Sequence, residues 1–253
     1  VTAGWVEIGD RVFVRRHREL DLNCGLVVGA DACLVVDTRS HLGEGRALAE
    51  AVRSVTPHPW AVVNTHAHYD HCFGNAAFRP ADVWAHRDCA GELARTAEQQ
   101  RADVVTGLLA DGDPAAELVA TTPVDLPDHL VDRATALDVG GRTVSLRHLG
   151  RGHTGADLVV AVDDVLFAGD LIEEGGPPAM EDSFPLEWAA TVTALLTLVR
   201  GPVVPGHGAV VDAAFVAAQR DELAHLARWL TDPGARPAFD ERTRTTARSR
   251  LSA

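Results

Sequence analysis

No run of apolar residues in the chain approaches the ~18 that a membrane-spanning helix needs. The opening stretch, VTAGWVEIGDRVFV, lacks a basic segment followed by an apolar one, so no secretory signal is visible in it. Basic charge is short as well. The 23 basic residues, all of them arginine, face 36 acidic residues, a formal net charge of −13. Such a surface repels phosphate backbones and anionic lipid, which argues against nucleic acid and membranes as partners and leaves a small-molecule substrate. Cysteine is scarce: Cys24, Cys33, Cys72 and Cys89 form no C-x-x-C pair. That spacing excludes a disulfide scaffold and fits a reducing, cytoplasmic setting. No G-x-G-x-x-G follows a strand signal, so dinucleotide binding is unsupported.

What is present is ordinary globular composition, 46% hydrophobic and 23% charged, over 253 residues. This length suits one domain, expected over residues 1–232. Residues 233–253 read as an arginine-rich C-terminal tail (Arg236, Arg242, Arg244, Arg248, Arg250), expected to be a solvated segment. Apolar runs predict strands at RVFVRRH, CGLVVGA, ACLVVDT, WAVVNT and VWAH, then at RTVSLRHL, DLVVAV, DVLFAG and GPVVPGHG. Helical spacing appears in GEGRALAEAVRSV, RDCAGELARTAEQQ, PLEWAATVTALLTLV and VDAAFVAAQRDELAHLARWL. Residues 101–132 are the least regular and read as a helical insertion plus loop. The order of elements predicts a layered α/β or α+β domain. Short turns between the first strands favour antiparallel pairing there.

The stretch NTHAHYDHCFGN crowds His66, His68, Asp70 and His71 onto one strand end. In an extended segment His66 and His68 face the same side. Asp70 and His71 lie past the bend and can face a second point. Imidazole and carboxylate without thiolate suit zinc, iron or manganese. Three more candidates follow apolar strands beside glycine: His153 in GRGHTGAD, Asp170 in FAGDL and His207 in VVPGHGAV.

Taken in order, H-x-H-x-D-H, GHTGAD, AGDL and PGHG resemble the metallo-β-lactamase superfamily, from the LVVDT strand to His207. The resemblance implies a four-layer αββα sandwich with metals at one edge of the sheets. It implies that His66, His68 and His153 hold one metal, that Asp70, His71 and His207 hold a second, and that Asp170 bridges them. Asp37 in VVDT would orient a ligand. Arg39 stands where the family usually has glycine, so a different local turn is expected. The true β-lactamases of this fold lack the bridging aspartate, and flavodiiron relatives carry glutamate where this chain has His68. The expected activity is therefore hydrolysis of a small ester, thioester, lactone or amide through a hydroxide bridging two zinc ions, with iron or manganese as alternatives. Asp70 and Asp170 are the candidate catalytic residues. A mononuclear-iron oxidoreductase resembling persulfide dioxygenases and an inactive metal-binding domain are the competing readings. Cys72 and Tyr69 are expected to pack. His148 and Arg151 are expected to stand behind the ligands at most. Glu173, Met180 and Phe184 are candidates to touch substrate, and Asp182 or Ser183 is the expected cap of the LEW helix.

Overall fold

The computed structural model describes residues 4–232, 234 and 237–252. Val1–Ala3 of the opening stretch and Arg236 of the tail lie outside the described residues.

Two mixed sheets stack face to face. The first runs in chain order from β1 (Val6–Gly9) through β2 (Val12–Arg16), β3 (Asn23–Val28), β4 (Cys33–Val36), β5 (Trp60–Val63) and β6 (Val83–His86) to β7 (His129–Val131). Its first four strands pair antiparallel, as the short turns predicted, and β4 to β7 pair parallel. The parallel half needs crossovers, which α1 (Leu42–Arg53), α2 (Tyr69–Cys72), α3 (Arg87–Asp111) and α4 (Ala115–Ala120) supply. The second sheet comprises β8 (Ala134–Asp138), β9 (Thr143–His148), β10 (Leu158–Val162), β11 (Val165–Glu173) and β12 (Val203–His207). Only its β11–β12 pair is parallel, and α5 (Trp188–Leu196) provides that crossover. The chain ends in α6 (Ala213–Thr231) and α7 (Glu241–Ser249).

Side-chain alternation sorts each strand between two cores. Val12, Val14, Leu34 and Val36 point inward and meet Leu158, Val160, Val162 and Phe167 of the second sheet. Their neighbours Phe13, Cys33 and Val35 point outward and pack under Leu48 and Val52 of α1. On the far side Val159, Leu166 and Ala168 pack against Trp188, Val192, Leu223 and Leu226 of α5 and α6. Helix, sheet, sheet, helix is thus the layer order, as expected.

Several local expectations need correction. β1, β7 and β8 carry too little apolar signal to be seen in the sequence. α3 runs on to Asp111, with Gly112 in the left-handed conformation closing it. The irregular stretch after it holds α4 and β7 as well as loop. The tail is not simply a solvated segment: Thr243 and Ala247 of α7 are buried, and Phe239 and Ala247 join the core around α6. Arg250 reaches back to donate to the carbonyls of Ser183 (3.1 Å) and Asp182 (3.2 Å). Neither Asp182 nor Ser183 caps α5. Its N-cap is Glu187, with no side-chain cap bond.

Candidate metal centre

All seven expected ligands meet at one edge of the sandwich, and five of them, His68, Asp70, His153, Asp170 and His207, line a cavity of about 600 Å³. β5 delivers the first of them. Its strand ends at Val63, and the following turn carries His66 and His68 before α2 places Asp70 and His71 one turn on. The turn is held from behind. Buried Asn64 and Asn75 exchange amide hydrogen bonds (2.8 and 3.0 Å), and the His71 carbonyl accepts from Thr38 N and Asn64 Nδ2. Gln100 of α3 straps it from outside, accepting from Tyr69 N and donating to the Ala67 carbonyl, each at 2.9 Å.

The second sheet supplies the rest. His153 sits on the loop between β9 and β10. Asp170 lies within β11, past Gly169, whose φ of +53° accompanies a register shift, and not at the strand's end as expected. His207 closes β12. Glycine is required beside it: a Cβ on Gly206 would stand 1.7 Å from Asp170 Oδ1. Gly208, at φ +95°, leaves no room against the Glu174 carbonyl.

The ligand atoms fall into two groups, His66, His68, His153 and Asp170 in one and Asp70, His71 and His207 in the other, each within 4.8 Å. His68 Nδ1 is 3.0 Å from His66 Nε2 and 2.9 Å from His153 Nε2. His207 Nε2 lies 3.3 Å from His71 Nε2 and 3.4 Å from Asp70 Oδ2. Asp170 faces both groups, with Oδ2 3.4 Å from His153 Nε2 and 3.3 Å from His207 Nε2, and Oδ1 3.3 Å from His71 Nε2.

Outer hydrogen bonds decide what these inner atoms are. Thr65 Oγ1 donates to Asp37 Oδ2, so it accepts from His66 Nδ1 at 3.0 Å. Asp37 Oδ2 also accepts from His71 Nδ1 at 2.9 Å. Asp182 Oδ2 accepts from His68 Nε2 at 2.9 Å, and the Leu20 carbonyl accepts from His207 Nδ1 at 2.7 Å. Each of these four imidazoles spends its N–H outward and turns a lone pair inward. Lone pairs this close repel one another unless a cation lies between them. His153 Nδ1 and Asp170 Oδ1 are buried without a hydrogen-bond partner among the described residues, as atoms meant for ions or for groups around them would be.

Charge tells the same story. Burial holds His66 well below the usual imidazole range and His153 down to about 4. Burial opposes charge at His71 and His207 too, yet Asp170 and Asp70 draw protons onto both, His207 up to about 10. His68, against its own burial, is raised to about 9 by Asp182. The site demands compensating positive charge, which protons or divalent ions supply. The donor set is hard and borderline, nitrogen and oxygen only, and suits zinc, iron or manganese.

Sequence reasoning placed Asp37 behind a ligand, and its carboxylate holds both His71 and the Thr65 amide (2.8 Å). Arg39 adopts φ +80°, the glycine-like conformation, while its buried guanidinium pairs with Glu44 and Glu19. Cys72 is buried and Tyr69 packs edge-on to Phe73, but Tyr69 also lines the cavity. His148 stacks on His86 and Arg151 pairs with Glu187, both away from the ligands. Glu173 lines the cavity. Met180 is buried in the helix-facing core, and Phe184 lies under Arg151. Missed altogether was Asp182 as a partner of His68. The contact spans a long loop, and no local signal in the sequence marks it.

A family model described as the metallo-beta-lactamase superfamily matches residues 18–207. Among solved structures, a double mutant of the sec-alkyl sulfatase PisA1 aligns at TM-score 0.76 and 19% identity, over 91% of this chain and 43% of that one. This chain therefore spans less than half of that sulfatase. A metallo-beta-lactamase from Pontibacter korlensis aligns at TM-score 0.66 and 17% identity, covering 87% and 97% of the two chains. FIM-1 from Pseudomonas aeruginosa, in its mono-zinc form, aligns at 0.64 and 20% identity, covering 87% and 93%. No curated protein sequence matches significantly. At these identities the likeness carries the fold and not the substrate.

Proposed function

As the chain belongs to the metallo-beta-lactamase superfamily, we propose that it is a dinuclear zinc hydrolase of small esters, thioesters, lactones or amides. The observation that carries this reading is the convergence beside the cavity of five imidazoles, four of them with a lone pair turned inward, and two carboxylates. His66, His68 and His153 would hold one ion, Asp70, His71 and His207 the other, and Asp170 both. When bound, such a pair supplies Lewis acidity, which polarises a carbonyl and lowers the pKa of water from ~16 to about 7.

The chain's own groups supply the remainder. Asp70 and Asp170 offset the ionic charge, and either carboxylate can take the proton released when water attacks. Burial pushes the Tyr69 phenol far up, so it stays a neutral donor on the cavity wall. Thr65, Asp37 and Asp182 fix the rings so that the donor atoms keep their aim. A second ligand group, Asp70 with His71 and His207, offers a place for a second ion, and because the mononuclear-iron alternative shares the motif, metal analysis separates the two.

Metal quantification of the purified protein, followed by a panel of ester, thioester, lactone, amide, β-lactam and sec-alkyl sulfate substrates, tests the reading. About two zinc ions per chain and chelator-sensitive turnover of a carbonyl substrate are expected. One iron per chain with oxygen consumed on a persulfide would replace the hydrolase by a dioxygenase. A metal-replete protein inert to every compound would leave a binding domain.

A further inference from the structure

The rim of the cavity carries charge of one sign. Apart from the candidate ligands and half-buried Glu173, its acidic lining residues are Asp21, Asp103, Glu174 and Glu181, and no arginine lines it among the described residues. The chain contains no lysine, so arginine is its only strong base. The arginines nearest the rim are committed. Arg16 grips Asp21 through both its Nε and Nη2 at 2.5 Å, Arg250 donates to the carbonyls of Asp182 and Ser183, and Arg242 lies 3.7 Å from Glu181. Asp103 accepts from neutral Gln99 (2.8 Å), and Glu174 accepts from the Ala209 amide (2.7 Å) with Arg16 near enough to feel its charge. Beneath them buried Asp170 lines the same cavity, its Oδ1 3.3 Å from His71 Nε2 and without a hydrogen-bond partner among the described residues, which marks the cavity as a place where a ligand is received.

We infer that this cavity selects substrates whose part remote from the scissile bond is cationic or neutral, and rejects those that carry an anion there. The inference rests on the hydrolase reading and names its substrate class. The physics is a division of labour by depth. The ion-binding floor takes the carbonyl, while the rim, reached first, sets the local concentration of what arrives. A cleft lined by one sign of charge concentrates the opposite sign, and the chain's overall charge of −13 adds to that field. An anionic arm meets Asp103 and Glu174, with Asp21 already paired to Arg16 and Glu181 near Arg242, and no guanidinium lines the cavity among the described residues. An ammonium arm meets Asp103 on α3 and Glu181 on the loop after β11, with the ring of Tyr69 in the same lining as a cation–π partner.

Three p-nitrophenyl esters of butyric acid test it, bearing a terminal trimethylammonium, tert-butyl or carboxylate group. The ammonium and tert-butyl groups match in shape, the carboxylate brings the opposite charge, and the rate at which that carboxylate cleaves its own ester without enzyme is subtracted. The matching methyl ketones, which cannot be cleaved, give a binding readout by calorimetry on zinc-loaded protein. We expect the ammonium compound to exceed the carboxylate compound about tenfold in both kcat/KM and affinity at low salt, with the neutral one between. In the Asp103→Asn, Glu181→Gln double variant, and in ~0.5 M NaCl, the gap should narrow to about twofold. Both substituted residues are exposed, so the fold should tolerate the change. Equal or better binding of the carboxylate ketone, a gap unmoved by the double variant, or no binding of the ammonium ketone would each overturn the inference. If no ester turns over while the ketones bind in the expected order, it is ester hydrolysis that fails and the charge selection that stands.

Discussion

At the scale of single residues, the outer nitrogens govern the site. An imidazole whose N–H is claimed from behind has one tautomer and one aim, and the partner making that claim acts on the ion without touching it. Asp37 stands behind His71 and, through Thr65, behind His66. Asp182 stands behind His68 alone. Substituting Asp182→Ala should therefore weaken one ion about 10–100-fold and spare the other. Asp37→Asn should weaken both. Competition against a chromogenic chelator resolves the two affinities, and unchanged affinities in both variants would remove the orienting role. The ligands were legible in the sequence because each sits at a strand end or beside glycine, where a short motif is the whole signal. Asp182 was not, since His68 lies 114 residues away in sequence and only the folded loop after β11 joins them.

At the scale of elements, strands with buried faces announce themselves and edges do not. β2 to β6 and β9 to β12 were readable as apolar runs. β8, whose residues alternate between exposed and half-buried, and the short β1 and β7 at the sheet's ends bury too little to leave a pattern. α3 was read short because its second half is largely solvent-facing and so lacks apolar periodicity. The tail misled by composition: its arginines suggested solvation, yet α7 seats Ala247 fully buried against the core around α6. Ala247→Glu would bury an unpaired carboxylate, at a cost of about 3 kcal/mol. For a chain of this size that is a drop of roughly 5–10 °C in Tm. A thermal melt checks it, and an unchanged Tm would show that α7 is not docked in solution. Because Arg250 holds the carbonyls of Asp182 and Ser183, the same variant should also loosen the support of His68.

At the scale of the whole molecule, the two sheets exist at this edge to oppose one ligand set to the other. Four ligands hang from the β5 end of the first sheet, and three come from the second. Ions bound between them, as proposed, would tie the halves of the sandwich together. Binding to the folded state alone adds stability as the ratio of free ion to Kd, about 4 kcal/mol at a thousandfold excess. Chelation should thus lower Tm by roughly 8–16 °C, restored by zinc. A melt indifferent to chelator would mean that no ion bridges the sheets. The fold class was legible from element order, but the acidic rim of the cavity was not. Asp21, Asp103, Glu174 and Glu181 come from separate parts of the chain and share a wall only after folding.

On the proposed function, two ions held by these seven residues perform hydrolysis. Zinc titration of metal-stripped protein, with turnover of a responsive ester or lactone followed at each addition, tests it most directly. Activity that is absent without metal and reaches its plateau at about two equivalents is the predicted result. Turnover surviving full chelation, or a plateau at a single equivalent with the second site empty, would contradict it.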